Sequence, residues 1–349
     1  MDLEKLLALM VTRNASDLII SAGSPPTLRV DGKLSPLQIP CLEKEECRDT
    51  IFQCLSEENM AQLANCGDVD LSYGAPGLGR FRINVHMQRD SVAAAIRLVS
   101  VSTPKISDLG LPEVVADLAG RTKGMLLVTG PTGSGKSTTL AAIVQNINAT
   151  RGSHIITVED PIEHVFNNDK SIIEQREVGK DTPSFADALK HVLRQDPDVV
   201  MVGEMRDKET ISTALTAAET GHFVLSTLHT NDCAQTLDRI ADVFEGEAQP
   251  QIRLQLSMVL AGVVSQQLVQ RRGGGRSVVC EVLVNTPAVA NMIRKGDTAQ
   301  VRNAIMTGSS AGMVSMRKSV AMLQSSGVID RTCAESIVGS SPDAQTVTL

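Results

Sequence analysis

The sequence predicts an α/β protein in two parts: an antiparallel α+β domain, then a core built on a parallel sheet. Three observations carry that prediction. Up to about residue 100, short apolar runs are joined by tight turn signals, with helical stretches between them. From Ile106 onward strand-like runs alternate with helical stretches, the pattern of parallel strands linked by crossover helices. Between the first such strand and its helix lies a glycine-rich segment, Gly130-Pro131-Thr132-Gly133-Ser134-Gly135-Lys136-Ser137-Thr138.

In chain order, residues 2–13 form a helix with Leu3, Leu6, Leu7 and Met10 on one face. Strands follow at 16–20 and 27–30, separated by the turn Gly23–Pro26, and Asp31-Gly32 is a hairpin signal. A helical stretch near 43–64 precedes strands at 69–73, 79–88 and 91–99. Within 79–85 the residues alternate, with Phe81, Ile83 and Val85 toward a core and Arg80 and Arg82 on the other face. Residues 101–105 read as a linker after a first domain of 1–100. Strands at 125–129, 154–158, 198–202 and 223–227 then alternate with helices at 136–148, 184–195, 207–220 and 232–244. That order is expected of a RecA-type nucleotide-binding core over 106–285. Residues 286–338 read as a helical region and 339–349 as a disordered tail.

At 349 residues there is room for two domains with real cores. The net charge of −7 supplies no global basic field for nucleic acid or an anionic membrane, although a local basic patch is left open. Aromatic residues make up 2% of the chain, too few for base-stacking platforms, so no nucleic-acid partner is expected. Seven cysteines, an odd number, with no secretory signal point to a reduced, cytoplasmic compartment. Cys41, Cys47, Cys54 and Cys66 lack C-x-x-C spacing and read as small buried hydrophobes rather than zinc ligands. No apolar run approaches the roughly 20 residues of a membrane-spanning helix, so direct membrane insertion is not expected.

The segment 130–138 fills every fixed position of the phosphate-loop pattern G-x-x-x-x-G-K-[ST], between a buried-strand run and a helical one. Glycines let successive N–H groups turn toward phosphate oxygens, and the helix start adds its positive dipole end. Lys136 is expected at the β- and γ-phosphates and Ser137 on Mg²⁺. Ligands of a parallel sheet sit at the carboxyl ends of its strands. There the sequence delivers Glu159 to Glu163 with His164, then Glu204, then His229. Glu204 suits the metal side of the site. Glu163 could orient or deprotonate an attacking water, with Glu159 as competitor, and His222 and His229 are candidates to touch the γ-phosphate. Asp207 reads instead as a helix cap. Taken alone, Arg80 and Arg82 read as a solvated face, though two guanidinium groups on one rigid strand are well placed for a phosphate.

Larger blocks carry a resemblance. Ile156-Thr-Val-Glu-Asp-Pro-Ile-Glu-His164, Gln175–Val178, Asp196–Asp207, Leu215–His222, Thr227–Thr230 and Asp238-Arg239, together with the glycine segment, closely resemble the type II/IV secretion ATPase superfamily. Within it the chain looks most like the type IV pilus retraction ATPases. Ala15–Leu18, Gly23–Pro26, Arg29–Gly32 and Gly79–Asn84 extend the likeness through the first domain. The resemblance implies a PAS-like N-terminal domain, a RecA-like ATPase domain and a homohexameric ring with ATP between subunits. It assigns Glu163 as catalytic glutamate, Glu204 as the Walker B acid and His222 with His229 as a histidine box. It also reverses the reading of Arg80 and Arg82, which would touch nucleotide across the subunit junction. The implied function is a cytoplasmic, Mg²⁺-dependent, ATP-hydrolysing motor at the inner membrane, driving pilus retraction on a platform protein and working beside a paralogous pilus ATPase. The alternatives are an accessory or non-hydrolysing nucleotide-gated subunit, and an extension or secretion motor. The latter typically carries a longer N-terminal segment and a tetracysteine zinc insert, neither of which is found here. Ile19 stands where the family commonly has His, Lys190 where it has Arg, and the motif usually written A-I-R-N-L-I-R-E becomes Ala288–Lys295, with Ala290 and Lys295 as departures.

Overall fold

A computed structural model describes residues 1–30, 32–99 and 103–340. Asp31 of the expected hairpin, part of the expected linker (101–102) and most of the expected tail (341–349) lie outside the described residues. The chain divides into two compact units, Met1–Ser102 with Glu163–Val165, and Thr103–Ile162 with Phe166 onward.

The first unit runs α1 (Leu3–Thr12), β1 (Asp17–Ile20), β2 (Thr27–Val30), β3 (Lys33–Pro36), α2 (Lys44–Ile51), α3 (Glu57–Cys66), β4 (Asp68–Ala75), β5 (Gly79–Gln88) and β6 (Ser91–Val99). Its strands form one antiparallel sheet in the order β3-β2-β1-β6-β5-β4. Leu3, Leu6, Leu7 and Met10 of α1 are buried in one cluster with Leu18, Leu28, Phe81, Ile83 and Val85 of the sheet. The expected helix near 43–64 is two helices. Ser56 ends the first by capping the second, accepting from the Asn59 N–H while the Asn59 side chain accepts from Ser56. β3 is the returning strand that the hairpin signal calls for, though the sequence offered no range for it: it is short, polar, ends in Pro36 and occupies the sheet edge, where a strand needs no apolar alternation.

The other sheet face is polar. Cross-strand register places Arg29, Asp17, Arg97, Arg82 and Ser72 in one line over five strands. Asp17 pairs with Arg97 at 2.9 Å and Arg29 at 3.6 Å. Three guanidinium groups against one carboxylate make this line cationic.

The second unit runs α4 (Glu113–Ala119), β7 (Gly124–Thr129), α5 (Lys136–Thr150), β8 (His154–Glu159), β9 (Ile172–Glu177), α6 (Phe185–Val192), β10 (Val199–Val202), α7 (Lys208–Glu219), β11 (Phe223–Leu228), α8 (Cys233–Asp242), α9 (Ala248–Val259), β12 (Leu260–Gln270), β13 (Arg276–Val284), α10 (Pro287–Lys295), α11 (Thr298–Thr307), α12 (Met316–Ser325) and α13 (Arg331–Ser340). Its sheet has the order β13-β12-β7-β11-β10-β8-β9, all parallel except β13. Alternate residues of the central strands feed two apolar clusters, one per face, so the sheet is buried on both sides. Expected strands 125–129, 154–158, 198–202 and 223–227 are β7, β8, β10 and β11; β9, β12 and β13 were not expected. A satellite cluster of Val269, Val279, Met316, Val320, Ile329 and Ile337 seats the last two helices on the β12–β13 hairpin. Among the described residues no helix is long and apolar enough to cross a membrane.

Side-chain caps set where the crossover helices begin: Ser184, Asp207 and Asp232 each accept from a backbone N–H three residues on. Asp207 takes the Thr210 N–H at 2.9 Å and the Thr210 hydroxyl at 2.6 Å. Burial alone would raise its pKa, but the bonds from Thr210 outweigh it and leave the carboxyl below its ordinary value. Asp207→Ala is therefore expected to cost ~1 kcal/mol in urea unfolding at neutral pH. Because the folded carboxyl is the stronger acid, that difference should shrink as pH falls through the carboxylate range. A difference constant down to pH 2 would contradict the cap.

A phosphate loop and its surroundings at the carboxyl edge of the sheet

β7 is fully buried and ends at Thr129; the chain then turns through Gly130 and enters α5 at Lys136. Gly130 has φ 141°, and a Cβ there would come within 2.2 Å of the Gln266 carbonyl and 2.7 Å of Ser134 Oγ. Only glycine fits. Gly133 (φ 77°) and Gly135 (φ 88°) are left-handed, which turns the intervening peptides inward. Gly135 begins α5 without a side-chain cap, so the first-turn N–H groups of a 15-residue helix face the loop with no carboxylate or hydroxyl closing them.

Lys136 is 8% exposed, and its Nζ donates to the carbonyls of Gly130 (2.9 Å) and Pro131 (3.0 Å). These bonds hold a buried cation against the loop. Ser134 is 2% exposed, and its Oγ has no hydrogen-bond partner among the described residues. A cradle that a Cβ would fill, a buried ammonium, a buried unpartnered hydroxyl and an uncapped helix start together fit a nucleotide's phosphates.

Beside β7, β11 and β10 carry the next groups. Glu204 follows β10, and its loop is tied back to β11 by Thr227 Oγ1 donating to the Gly203 carbonyl at 2.6 Å and Met205 N–H donating to the Thr227 carbonyl at 3.2 Å. One Glu204 oxygen lies 2.8 Å from Arg206 Nε, the other 3.6 Å from His229 Nε2. Burial first, then the cations of Lys136 and Arg206, hold the His229 pKa below its ordinary value against the pull of Glu204. With its pKa held down the imidazole is mostly uncharged at neutral pH, and 3.6 Å is long for a direct hydrogen bond to Glu204. Thr132 of the loop, Glu204, Arg206, His229, Asp238 and Arg239 line one cleft of about 590 Å³.

The remaining candidates are distributed differently. Glu159, at the end of β8, is buried, and its Oε1 accepts from Thr157 Oγ1 (2.7 Å) and Gln175 Nε2 (3.0 Å). Glu163 is exposed and groups with the first unit. His222, expected with His229 at the γ-phosphate, lies at the opposite end of β11 from His229. It precedes β11, and its carbonyl accepts from Gly124 N–H at the start of β7. The phosphate loop follows the far end of β7, about six residues or 20 Å away. Its Nδ1 instead meets the Ala217 carbonyl at 2.9 Å, at the end of α7. In the first unit Phe81, Ile83 and Val85 are fully buried and Arg82 is exposed, as the alternation predicts, and Arg80 Nε donates to Ser72 Oγ at 2.7 Å. Lys190 pairs with Glu209 and Asp187 on the surface.

Sequence reasoning missed a layer beneath the loop. Thr230, Thr236 and Thr129 are linked hydroxyl to hydroxyl at 2.7 and 3.4 Å, all buried. Gln266 of β12 bonds both Ser134 and Thr139. The Ser-Gln-Gln signal at 265–267 inside an apolar run was available, because polar side chains in a buried strand need partners.

A strand, phosphate loop and helix on a parallel sheet, with an acid after the next strand but one, define a P-loop nucleotide-binding protein of RecA type. The particular family is equally plain: the chain belongs to the type II/IV secretion system protein family, which matches residues 89–328. It is 43% identical over 331 residues to the type IV pilus retraction ATPase PilT of Pseudomonas aeruginosa, covering 95% of this chain and 96% of that one. To the type IV pilus ATPase PilU of the same organism it is 40% identical over 330 residues, covering 94% and 86%. The crystal structure of the pilus retraction motor PilT with bound ADP superposes with a TM-score of 0.91 at 44% identity, covering 99% of each chain.

Proposed function

We propose that this protein is an ATP-hydrolysing motor of the type IV pilus, driving pilus retraction as a homohexameric ring. The single observation that carries this reading is that Thr132 of the phosphate loop, Glu204 and His229 line one cleft at the carboxyl edge of the sheet. Similarity to retraction ATPases over nearly the whole chain supplies the biological setting.

Lys136 and the N–H groups of Gly133 to Ser137 bind the β- and γ-phosphates. Thr138, half-buried one residue further into α5, lies at the same helix start. Among the described residues no group of three or more His, Cys, Asp or Glu converges as a metal cage. Ser137 and Glu204 suit the other arrangement, in which Mg²⁺ keeps waters and phosphate oxygens and takes one or two protein groups. When bound, Mg²⁺ would supply charge neutralisation between the phosphates. Glu163 orients the attacking water, and His229, being uncharged, offers an N–H without adding a fixed charge. His222 would belong to the γ-phosphate only across a subunit junction. The ring works in the cytoplasm beneath the inner membrane, on the pilus platform protein.

Arg80 and Arg82 act in trans, on nucleotide held by the neighbouring subunit. Specific activity should therefore rise with protein concentration, and Arg82→Ala should lower kcat on the order of 10²-fold or more, as for other arginine fingers. The decisive form mixes two inactive variants, Lys136→Ala and Arg82→Ala, in equal amounts. About a quarter of the junctions then pair an intact loop with an intact arginine, so activity should return to roughly that fraction. No recovery despite mixed assembly removes the trans role.

A second reading is favoured by Ala290 and Lys295 in α10 and by the near-equal similarity to PilU: an accessory subunit that rides on a retraction motor. Steady-state phosphate release from the purified protein separates the two, since the motor turns over alone. Deleting the gene and scoring surface pili tests the direction of work: loss of retraction leaves pili in excess, loss of extension leaves none.

A further inference from the structure

β12 runs parallel to the strand that feeds the phosphate loop, with Val264 opposite Val128 and Ser265 opposite Thr129. The next residue, Gln266, thus arrives beside the loop itself. It is fully buried, and both ends of its amide are engaged: Nε2 donates to the Ser134 carbonyl at 2.8 Å, and Oε1 accepts from the Thr139 hydroxyl at 3.0 Å. The Ser134 carbonyl can only accept, so the amide nitrogen must face it and the amide oxygen must face Thr139. The backbone carbonyl of Gln266 closes on Gly130 from the same side. One residue therefore bounds the loop at its first glycine and again just before its last. Were filling space the only requirement, a leucine would serve at lower desolvation cost.

A trans peptide is planar, so the Gly135 N–H points opposite to the Ser134 carbonyl. Drawing that carbonyl toward β12 turns the Gly135 N–H away from the strand, to the concave side of the loop where phosphate-binding N–H groups converge. We infer that Gln266 is a positioning residue for nucleotide: it fixes the Ser134–Gly135 peptide so that the Gly135 N–H already faces the phosphate site, with Thr139 locking the amide the right way round. The inference rests on the reading that this loop binds a nucleoside di- or triphosphate.

The test is binding of a fluorescent ADP analogue (mant-ADP) to the full chain, with thermal unfolding followed in parallel. Gln266→Leu keeps the volume and removes both bonds; its Kd should rise about tenfold, the factor expected for one lost buried hydrogen bond. Gln266→Glu sets a carboxylate oxygen against the Ser134 carbonyl and adds negative charge beside the phosphates, so its Kd should rise further. Thr139→Val should weaken binding several-fold in the parent and have no added effect on Gln266→Leu, because the two groups act as a unit. KM should rise while kcat stays within about threefold, since the Gly135 N–H grips phosphate in ground and transition states alike. Gln266→Leu with a lowered melting temperature but a Kd within twofold of the parent would make the residue merely structural and overturn the inference. If that variant does not fold, unchanged affinity in Thr139→Val overturns it equally. If the parent itself fails to bind mant-ADP, the reading of the loop falls first and this inference with it.

Discussion

Lys136→Ala is expected to lower kcat/KM for ATP hydrolysis by 10³-fold or more, on the order of 4 kcal/mol of transition-state stabilisation. Lys136 is 8% exposed and its Nζ lies against the loop carbonyls, so its charge acts where water screens it little. It also helps hold His229 uncharged. Truncation thus removes a cation at the β- and γ-phosphates and relaxes the imidazole opposite. Nζ also donates to Gly130 and Pro131, so the substitution leaves two loop carbonyls without that donor. Lys136→Met separates the contributions: it keeps the stem and lacks only the ammonium. Phosphate release is expected to vanish in both variants, with melting temperatures within a few degrees of the parent. Turnover of Lys136→Met above a tenth of the parent would mean that the loop is not the catalytic phosphate site.

The parts of this molecule legible in its sequence are those where local pattern and tertiary role agree. β7, β8, β10 and β11 are largely apolar runs because both faces of a central parallel strand are buried, and β10 and β11 each lead into a helix capped by an aspartate. The glycine segment is legible because its backbone takes positive φ at Gly130, Gly133 and Gly135, which favours glycine there. β12 was hidden for the opposite reason. It follows α9 through Met258-Val259-Leu260 with no breaker between, and its early apolar residues suit helix and strand equally. β9 was hidden as a polar edge strand, Ile172–Glu177, whose Gln175 and Glu177 serve as bonding partners rather than core. Missing these strands also concealed Gln266, Gln175 and the reason Glu159 is buried. The histidines show the limit of motif reading: His222 and His229 are seven residues apart, but one precedes β11 and the other follows it, so a single strand separates them by its whole length. Arg82 was ambiguous for a different reason: alternation gives the face it occupies, but the contact proposed for it, with nucleotide on another subunit, is one that no pattern within one chain records.

Glu163→Gln should lower kcat between 10²- and 10⁴-fold while leaving mant-ADP affinity within about threefold of the parent, the signature of a group that acts on the water rather than on the nucleotide. The structure sharpens the choice between this residue and Glu159. Glu159 is 7% exposed, and one of its oxygens already accepts from Thr157 and Gln175, joining β8 to β9. That oxygen is committed to holding the sheet edge together. Glu163 is exposed, on a segment whose neighbour Ile162 is pinned by its N–H to Glu177 at 3.1 Å. Glu159→Gln is thus expected to act mainly on stability, about 1 kcal/mol, because the amide oxygen can still accept from both donors but lacks the charge that strengthens those bonds. Running both variants side by side through phosphate release, nucleotide binding and urea unfolding distinguishes base from brace. If Glu163→Gln turns over at the parental rate while Glu159→Gln folds normally and is inactive, the catalytic role passes to Glu159, and its bonds to Thr157 and Gln175 become the means by which the base is oriented.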